Sequence, residues 1–232
     1  GFPKGTGEQP VNNLTDAKSI ANTRGFKRLC IVGNITFGAT DNIDNFVIRG
    51  QYHDQLTTVT VTAGCSTIGT EFRHLTLQGT LSGQTHMNDV VCKTISGVQS
   101  IIRESYLGGT LTLAGTQDTE IVKSTDSMPG YPGLPTIDLG GSGRGIAIWG
   151  YSGALKIQNK SGTDVVVLDL DSARVVLDSS VTGGTIYVRG VGVLDNKSVG
   201  ATVNTDGFVV AKSLSGTTSA KSIGEVLERV LN

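Results

Sequence analysis

The sequence lacks an excess of charge of either sign. It carries 19 lysines and arginines against 20 aspartates and glutamates, which gives a formal net charge of −1 over 232 residues. Proteins that bind nucleic acid or an anionic membrane surface usually display a basic excess, and this balance offers none. The sequence also contains no run of about 18 apolar residues, the length of a membrane-spanning helix. We therefore expect neither nucleic-acid binding nor membrane insertion.

Cysteine, histidine and aromatic residues are also scarce. The cysteines Cys30, Cys65 and Cys92 are far apart and form no CxxC pair, and the three histidines form no HxH or HxxxH pair. Zinc and redox sites depend on such close pairs, so the sequence predicts no metal site, no cofactor and three buried free thiols. Aromatic residues make up 5% of the chain, which leaves little material for extended sugar-binding platforms.

Glycine is abundant, with 32 residues, about twice the usual share of roughly 7%. The remainder is rich in threonine, serine, valine and isoleucine, which are typical of strands and turns. Between residues 34 and 210, short segments of alternating apolar and polar residues are separated by single small or polar residues. Because no segment with helical periodicity interrupts this series, the sequence predicts an all-β fold.

Two architectures fit short, evenly spaced strands: a right-handed parallel β-helix and, as the alternative, a β-sandwich. The β-helix is favoured by a strand-plus-glycine pattern that recurs at 75–79, 111–115 and 186–190. Hairpin dipeptides are nearly absent, with one clear Asp-Gly, whereas an antiparallel meander should contain more of them. We therefore predict a β-helix (solenoid) over residues 34–210.

The two ends of the chain differ from this series. Residues 1–33 predict an arm, a short helix with Asn12 or Asn13 as N-cap, and a first strand, which together cap the β-helix. Residues 211–232 predict a linker and a short amphipathic helix that opens with a capping box. We expect its apolar stripe to act in assembly or end-capping; the stripe consists of Ile223, Val226, Leu227 and Val230. The chain does not begin with methionine, so we expect a processed chain or an excised fragment.

Two groups of side chains are candidates for a functional site. Asp169 and Asp171 place two carboxylates on one side of a strand, and Asp178 follows near the next corner. Such carboxylates serve as calcium ligands or as glycosidase acid and base, but a solvated strand face is the alternative. Trp149 and Tyr151 are separated by one glycine and would share a face of a strand. They are the candidate recognition patch, with an aromatic pair in the core or in a subunit interface as the alternative.

The layout of the whole chain resembles the β-helical structural proteins of tailed bacteriophages, which are tail-fibre, tailspike, baseplate or head-appendage proteins. The resemblance begins with the helix-like segment 10–17 and the apolar strand 27–33. It continues with a Gly/Thr/Ser/Val strand series of low charge and a small C-terminal helix. The resemblance implies a homotrimer that is located in the virion, contacts other virion proteins and binds a host surface glycan.

The expected function is a non-enzymatic structural or receptor-attachment component of a phage virion. Two alternatives stay open: a polysaccharide-degrading depolymerase of the tailspike type, and a bacterial surface adhesin. Some proteins of the resembled group degrade host polysaccharide with carboxylates in a groove, but no residue pair in this sequence matches such a catalytic pair. We therefore predict no catalytic residues.

Overall fold

The computed structural model describes residues 5–51, 57–115, 118–126, 134–140, 145–163 and 165–210. Of the described residues 56% are strand and 5% are helix, and they form a β-solenoid of about nine turns. All strand pairs among the described residues are parallel, whereas a sandwich is built from antiparallel sheets. The parallel β-helix is therefore confirmed and the sandwich alternative is wrong.

Regular structure begins with one helix, α1 (Leu14–Thr23), which is followed by strands throughout the described chain. The strands are β1 (Arg28–Ile31), β2 (Ile35–Phe37), β3 (Val47–Gly50), β4 (Thr58–Val61), β5 (Glu71–Thr80), β6 (Thr85–Val98), β7 (Ser100–Arg103), β8 (Tyr106–Leu107), β9 (Thr110–Leu113), β10 (Thr119–Val122), β11 (Thr136–Asp138), β12 (Ile146–Gln158), β13 (Val165–Leu177), β14 (Thr185–Asn196), β15 (Thr202–Asn204) and β16 (Phe208–Val210).

Helix α1 caps the N-terminal end of the solenoid, as the sequence predicts. The side-chain oxygen of Asn13 accepts a hydrogen bond from the backbone N–H of Asp16 at 2.8 Å, so Asn13 is the N-cap. Ala21 is buried, and Leu14 and Ala17 pack against the core. The helix ends before Gly25, whose φ of +72° favours glycine. The predicted C-terminal helix, with Ile223, Val226, Leu227 and Val230, lies outside the described residues.

The longest strands run through corners of the solenoid and contribute to more than one part of the sheet. β12 pairs with β10 through Ile146–Trp149 and with β11 through Lys156–Gln158. Its pairing with β13 covers both parts, with register shifts around Tyr151 where the strand bends. One strand therefore supplies several positions of a single turn.

Residues in register on successive turns form straight rows, and one inward row runs through the whole solenoid. Every member is buried, so apolar side chains from adjacent turns pack on one another in a continuous core. Each buried aliphatic side chain in such a row contributes about 1.5–3 kcal/mol. The row consists of Leu29, Ile48, Phe72, Met87, Ile102, Ile121, Ile148, Leu168 and Val188.

The turns that keep this row in register differ in length. From Phe72 to Met87 a turn takes 15 residues, and from Ile121 to Ile148 it takes 27. The extra residues lie between the strands and do not interrupt the row. A fixed sequence repeat is therefore absent although the structural repeat is regular.

The three segments that suggested a repeat occupy different rows. Leu77 pairs with Val59 and Cys92, whereas Leu111 pairs with Ile95 and Ile137. Ile186 belongs to a third row, next to Val166. The recurrence thus reflects a shared strand-and-corner pattern, and the segments are not equivalent positions of one repeat.

Buried hydroxyl groups replace apolar side chains at one inward position. The Thr85 and Ser100 hydroxyl oxygens lie 2.6 Å apart, and the backbone N–H of Ser100 donates to the Thr119 hydroxyl at 3.4 Å. All three residues are buried. Because these hydroxyls bond to one another or to the backbone of the adjacent turn, polar groups enter the core without an unsatisfied partner.

Candidate functional site

The exposed ring of Trp149 lies in an outward row that adjoins the inward row. In register with it on neighbouring strands are Val122 on one side and Asp169 on the other, and Arg189 follows Asp169. Adjacent strands are about 4.8 Å apart, so these side chains are direct neighbours along the outside of the solenoid. The row places an aromatic ring, a carboxylate and a guanidinium on three consecutive turns.

Tyr151 does not share this surface, which corrects the predicted Trp149–Tyr151 patch. Trp149 is 36% exposed, whereas Tyr151 is fully buried and its hydroxyl donates to the carbonyl oxygen of Ala154 at 2.9 Å. Gly150 between them has a φ of +62°, which adds a residue to the bend, so the alternation of faces is lost. Burial, and secondarily the nearby charge of Asp126, raise the pKa of the Tyr151 phenol.

Small neighbours leave the Trp149 ring accessible. A parallel outward row passes two residues before Trp149 along its strand. This row holds Ala147 on β12, Val167 on β13 and Tyr187 on β14. The guanidinium of Arg189 lies 5.9 Å from the centre of the Tyr187 ring, a cation–π contact that orients it. Together Trp149, Asp169, Tyr187 and Arg189 form what we call the aromatic face.

Asp169 and Asp171 both point outward, with buried Leu170 between them, as expected for a solvated strand face. A side chain added at Gly150 would approach a carboxylate oxygen of Asp171 at 3.4 Å, so Asp171 lies at the corner beside Trp149. The structure therefore places Asp171 next to the aromatic face, which already contains Asp169.

Asp178 is held elsewhere, at the corner that follows β13. Its carboxylate accepts from the Lys156 ammonium at 2.8 Å and from the Ser180 hydroxyl at 2.8 Å. These hydrogen bonds, with that of Lys156 the strongest, hold the pKa of Asp178 well below its usual range. Asp178 thus fixes a corner and does not join the other two aspartates.

The corner that contains Gly150 also holds a row of residues with a left-handed backbone conformation, and these residues differ in charge. His74, Asp89, Glu104 and Lys123 have φ values of +52°, +52°, +49° and +47° and follow paired residues on successive turns. The His74 Nδ1 and an Asp89 carboxylate oxygen are 2.8 Å apart. No group of three or more metal-ligating side chains occurs among the described residues. His53 lies outside them.

The cysteines are free, but only two match the prediction of burial. Cys65 and Cys92 are buried, whereas Cys30 is exposed in β1, the outermost strand at the N-terminal end. Burial, supported by Asp41 and Asp44, raises the pKa of Cys65 to about 11. Burial alone raises the pKa of Cys92 to about 12. The prediction is wrong for Cys30 because its side chain belongs to the outward row, in register with Arg49, whereas the adjacent Leu29 points into the core.

Sequence inspection missed Asp169 and Arg189 as neighbours of Trp149. The signal was present, because Trp149, Asp169 and Arg189 follow one another at intervals of 20 residues, each after a buried apolar residue. A search for outward residues that recur at the same position of successive turns of equal length would have found this row.

Comparison with known proteins finds no matching family model, no matching curated protein and no matching solved structure. Helix α1 has ten residues, and none of the helical structure in the described ranges reaches the length and apolarity of a membrane span.

Proposed function

We propose that this protein is a non-enzymatic structural or receptor-attachment component of a phage virion, in a tail fibre, spike, baseplate or head appendage. The observation that carries the proposal is the inward row that continues unbroken through all nine turns from Leu29 to Val188. Each inner turn is paired to the turn before and the turn after it, so bending the solenoid disrupts many contacts at once. A stiff rod of this kind suits a part that spans or projects from a particle.

The rod forms a homotrimer in this proposal and contacts other virion proteins. Trimers hold three solenoids side by side and cover parts of their outer faces. The test is the mass of the full chain in solution, measured by light scattering, combined with antibody detection in purified phage particles. A mass of three chains and a signal that co-purifies with particles support the proposal. A monomer that is absent from particles overturns it.

Receptor attachment is assigned to the aromatic face. Sugar rings stack on aromatic faces, and neighbouring carboxylates and guanidinium groups bond to hydroxyls. Asp169 and Arg189 balance each other in charge, and Asp171 and Lys123 both lie near Gly150 at the adjoining corner, which favours an uncharged host-surface glycan over a polyanion. The face extends over only three turns, about 15 Å including its side chains, so its area is on the order of 200 Å², well below the roughly 800 Å² per partner of a stable protein interface.

A cell-binding assay tests this assignment. Fluorescently labelled protein is titrated onto host cells, with Trp149→Ala compared against Ile68→Ala, which truncates another exposed large apolar side chain. We expect Trp149→Ala to weaken binding at least tenfold and Ile68→Ala to leave it unchanged. Equal binding by all three proteins contradicts the assignment.

A depolymerase is the second candidate, and the outward Asp169 and Asp171 beside Trp149 favour it. Capsular and lipopolysaccharide preparations are incubated with the wild-type chain and with Asp169→Asn and Asp171→Asn. Release of new reducing ends by the wild type, lost in both variants, supports the depolymerase and overturns the non-enzymatic assignment. No release by any of the three supports the structural assignment.

A further inference from the structure

The first turn of the solenoid contains an open apolar groove. Of the apolar stripe of α1 only Ala21 is buried, while Leu14, Ala17 and Ile20 line a cavity of about 950 Å³ between the helix, the arm and β1. β1 pairs with β3 on one side, and within the described chain no strand pairs with its other edge. The groove therefore combines an apolar wall with a strand edge that is unpaired within the described chain. A further segment can pack on the wall and pair with the edge.

Exposed apolar side chains are concentrated at the two ends. Phe26 and Val32 line the groove and are 55% and 69% exposed. In the last turn Val199 and Val209 are 64% and 63% exposed. These four are the most exposed large apolar residues of the described chain. Phe26 and Val32 line one groove, and apolar exposure gathered in this way marks an interaction surface. Val199 and Val209 add exposed apolar side chains at the opposite end.

We propose that copies of this chain associate end to end, with residues 222–231 of one copy lying in the groove of the next. This segment follows the last described strand and carries the apolar stripe of Ile223, Val226, Leu227 and Val230. The stripe has the same i, i+3, i+4, i+7 spacing that directs a helix into an apolar groove. The aliphatic wall formed by Leu14, Ala17 and Ile20 is its complement.

The reach of the chain favours a neighbouring copy over the same copy. Nine strand-to-strand steps separate β1 from the level of β16, which is an axial distance of about 43 Å. Ile223 follows Val210 by 13 residues, which span at most about 47 Å when fully extended and about 20 Å as a flexible chain. To reach the groove of its own copy, the chain between Val210 and Ile223 would have to run almost fully extended along the whole rod. The groove of a copy stacked on the C-terminal end is within ordinary reach.

This contact differs from the lateral contact of the trimer proposed above. It joins two different surfaces, so it is heterologous and continues from copy to copy without closing. The trimer and the end-to-end contact can each fail without the other, and the measurements below separate them.

Binding of the segment in trans is the first test. A fluorescent peptide of residues 218–232 is titrated with the full chain and followed by anisotropy. We expect saturable binding that weakens at least tenfold when the peptide carries Val226→Asp and Leu227→Asp. The same loss is expected when the protein carries Phe26→Asp and Val32→Asp, which are exposed positions whose change leaves the fold intact. The matched control Ile68→Asp alters another exposed apolar residue and should leave binding unchanged.

Self-association is the second test, measured by sedimentation across a hundredfold range of concentration. The wild-type mass should rise beyond its base oligomer, whether that is one chain or three. The groove variant (Phe26→Asp with Val32→Asp) and the segment variant (Val226→Asp with Leu227→Asp) should each lose this rise. Mixing the two variants should restore an association that neither shows alone, because one intact groove and one intact segment remain.

Three results overturn the proposal. Peptide binding that is equal in wild type and groove variant places the segment elsewhere. A constant mass together with no peptide binding means that the groove is filled within one copy, for example by residues 1–4. Concentration-dependent association that persists in both variants means that the ends meet through other residues.

Discussion

The ammonium group of Lys156 lies 2.8 Å from a carboxylate oxygen of Asp178 on the next turn of the solenoid. The other carboxylate oxygen of Asp178 accepts from the backbone N–H of Ser180 at 3.0 Å and from its hydroxyl at 2.8 Å. The side chain thus ties a strand to the following corner and to the turn before it. These side-chain contacts add to backbone hydrogen bonds at the same corner, from the Asp178 N–H to the Ile157 carbonyl and from the Val181 N–H to the Asp178 carbonyl, both 3.0 Å.

The Asp178 contact predicts a specific dependence of stability on pH. Its folded-state pKa is lowered by Lys156 and Ser180, so its contribution is fully present above the unfolded value of about 3.9. The contribution is lost as the pH falls below that value towards the lower folded pKa. Asp178→Asn should therefore lower Tm at pH 7, and the difference from wild type should shrink below pH 4. Thermal melts from pH 7 to pH 2 measure it, with exposed Asp206→Asn as control; a difference that stays constant to pH 2 contradicts the prediction.

Substitution of two glycines with the same φ separates the cost of a strained backbone conformation from the cost of a steric clash. Gly190 and Gly207 both have a φ of +83°, but a Cβ on Gly190 would lie 2.0 Å from the carbonyl oxygen of Leu170, whereas one on Gly207 meets nothing within 4 Å. Gly207→Ala should cost about 1–2 kcal/mol for the left-handed conformation. Gly190→Ala should cost more, because two turns must move apart. Urea unfolding of both variants measures the difference, and equal losses would refute this explanation.

The opposite placement of Trp149 and Tyr151 predicts opposite effects on stability. Tyr151→Phe removes the hydroxyl that donates from the buried Tyr151 side chain to the part-buried carbonyl of Ala154, and should lower the free energy of unfolding by about 1 kcal/mol. Trp149→Phe alters a ring at the surface and should change it by less than about 0.5 kcal/mol. Urea unfolding again distinguishes them. A larger loss for Trp149→Phe than for Tyr151→Phe is incompatible with the arrangement.

The thiols should differ in reactivity. Reaction requires an accessible thiolate, and burial both hides Cys65 and Cys92 and raises their pKa to about 11 and about 12. At pH 8 a disulfide reagent should therefore modify Cys30 quickly and the other two only after unfolding in urea. A Cys30→Ser variant should show no rapid reaction. Rapid release of more than one thiol from the native wild type contradicts the structure.

The fold could be predicted because its signals are local. Alternation such as Ile146, Ile148 inward and Ala147, Trp149 outward needs only one strand, and it is repeated in strand after strand. The near absence of hairpin dipeptides then favours parallel pairing over an antiparallel meander. The N-cap at Asn13 is likewise a local signal that the structure confirms.

The site could be predicted only in part, because the backbone conformation at a corner and the neighbours of its side chains depend on the adjacent turn. Gly150 adopts a left-handed conformation that moves Tyr151 from the outer face to the core, and alternation alone predicts the reverse. Asp89 and Glu104 adopt the same conformation without being glycine, so composition does not mark their corner. Which outward residues become neighbours also depends on the turn lengths, and these vary from 15 to 27 residues.

The unequal turn lengths have a consequence for protein engineering. Since the row from Ile121 to Ile148 remains in register across 27 residues, while Phe72 to Met87 needs only 15, the length of a turn is set outside the paired strands. The spacer between two strands can therefore carry a foreign peptide or an epitope while the strands on either side stay in register. The chain is in this sense a display scaffold, on which the position of an insert along the rod is chosen by the turn that receives it.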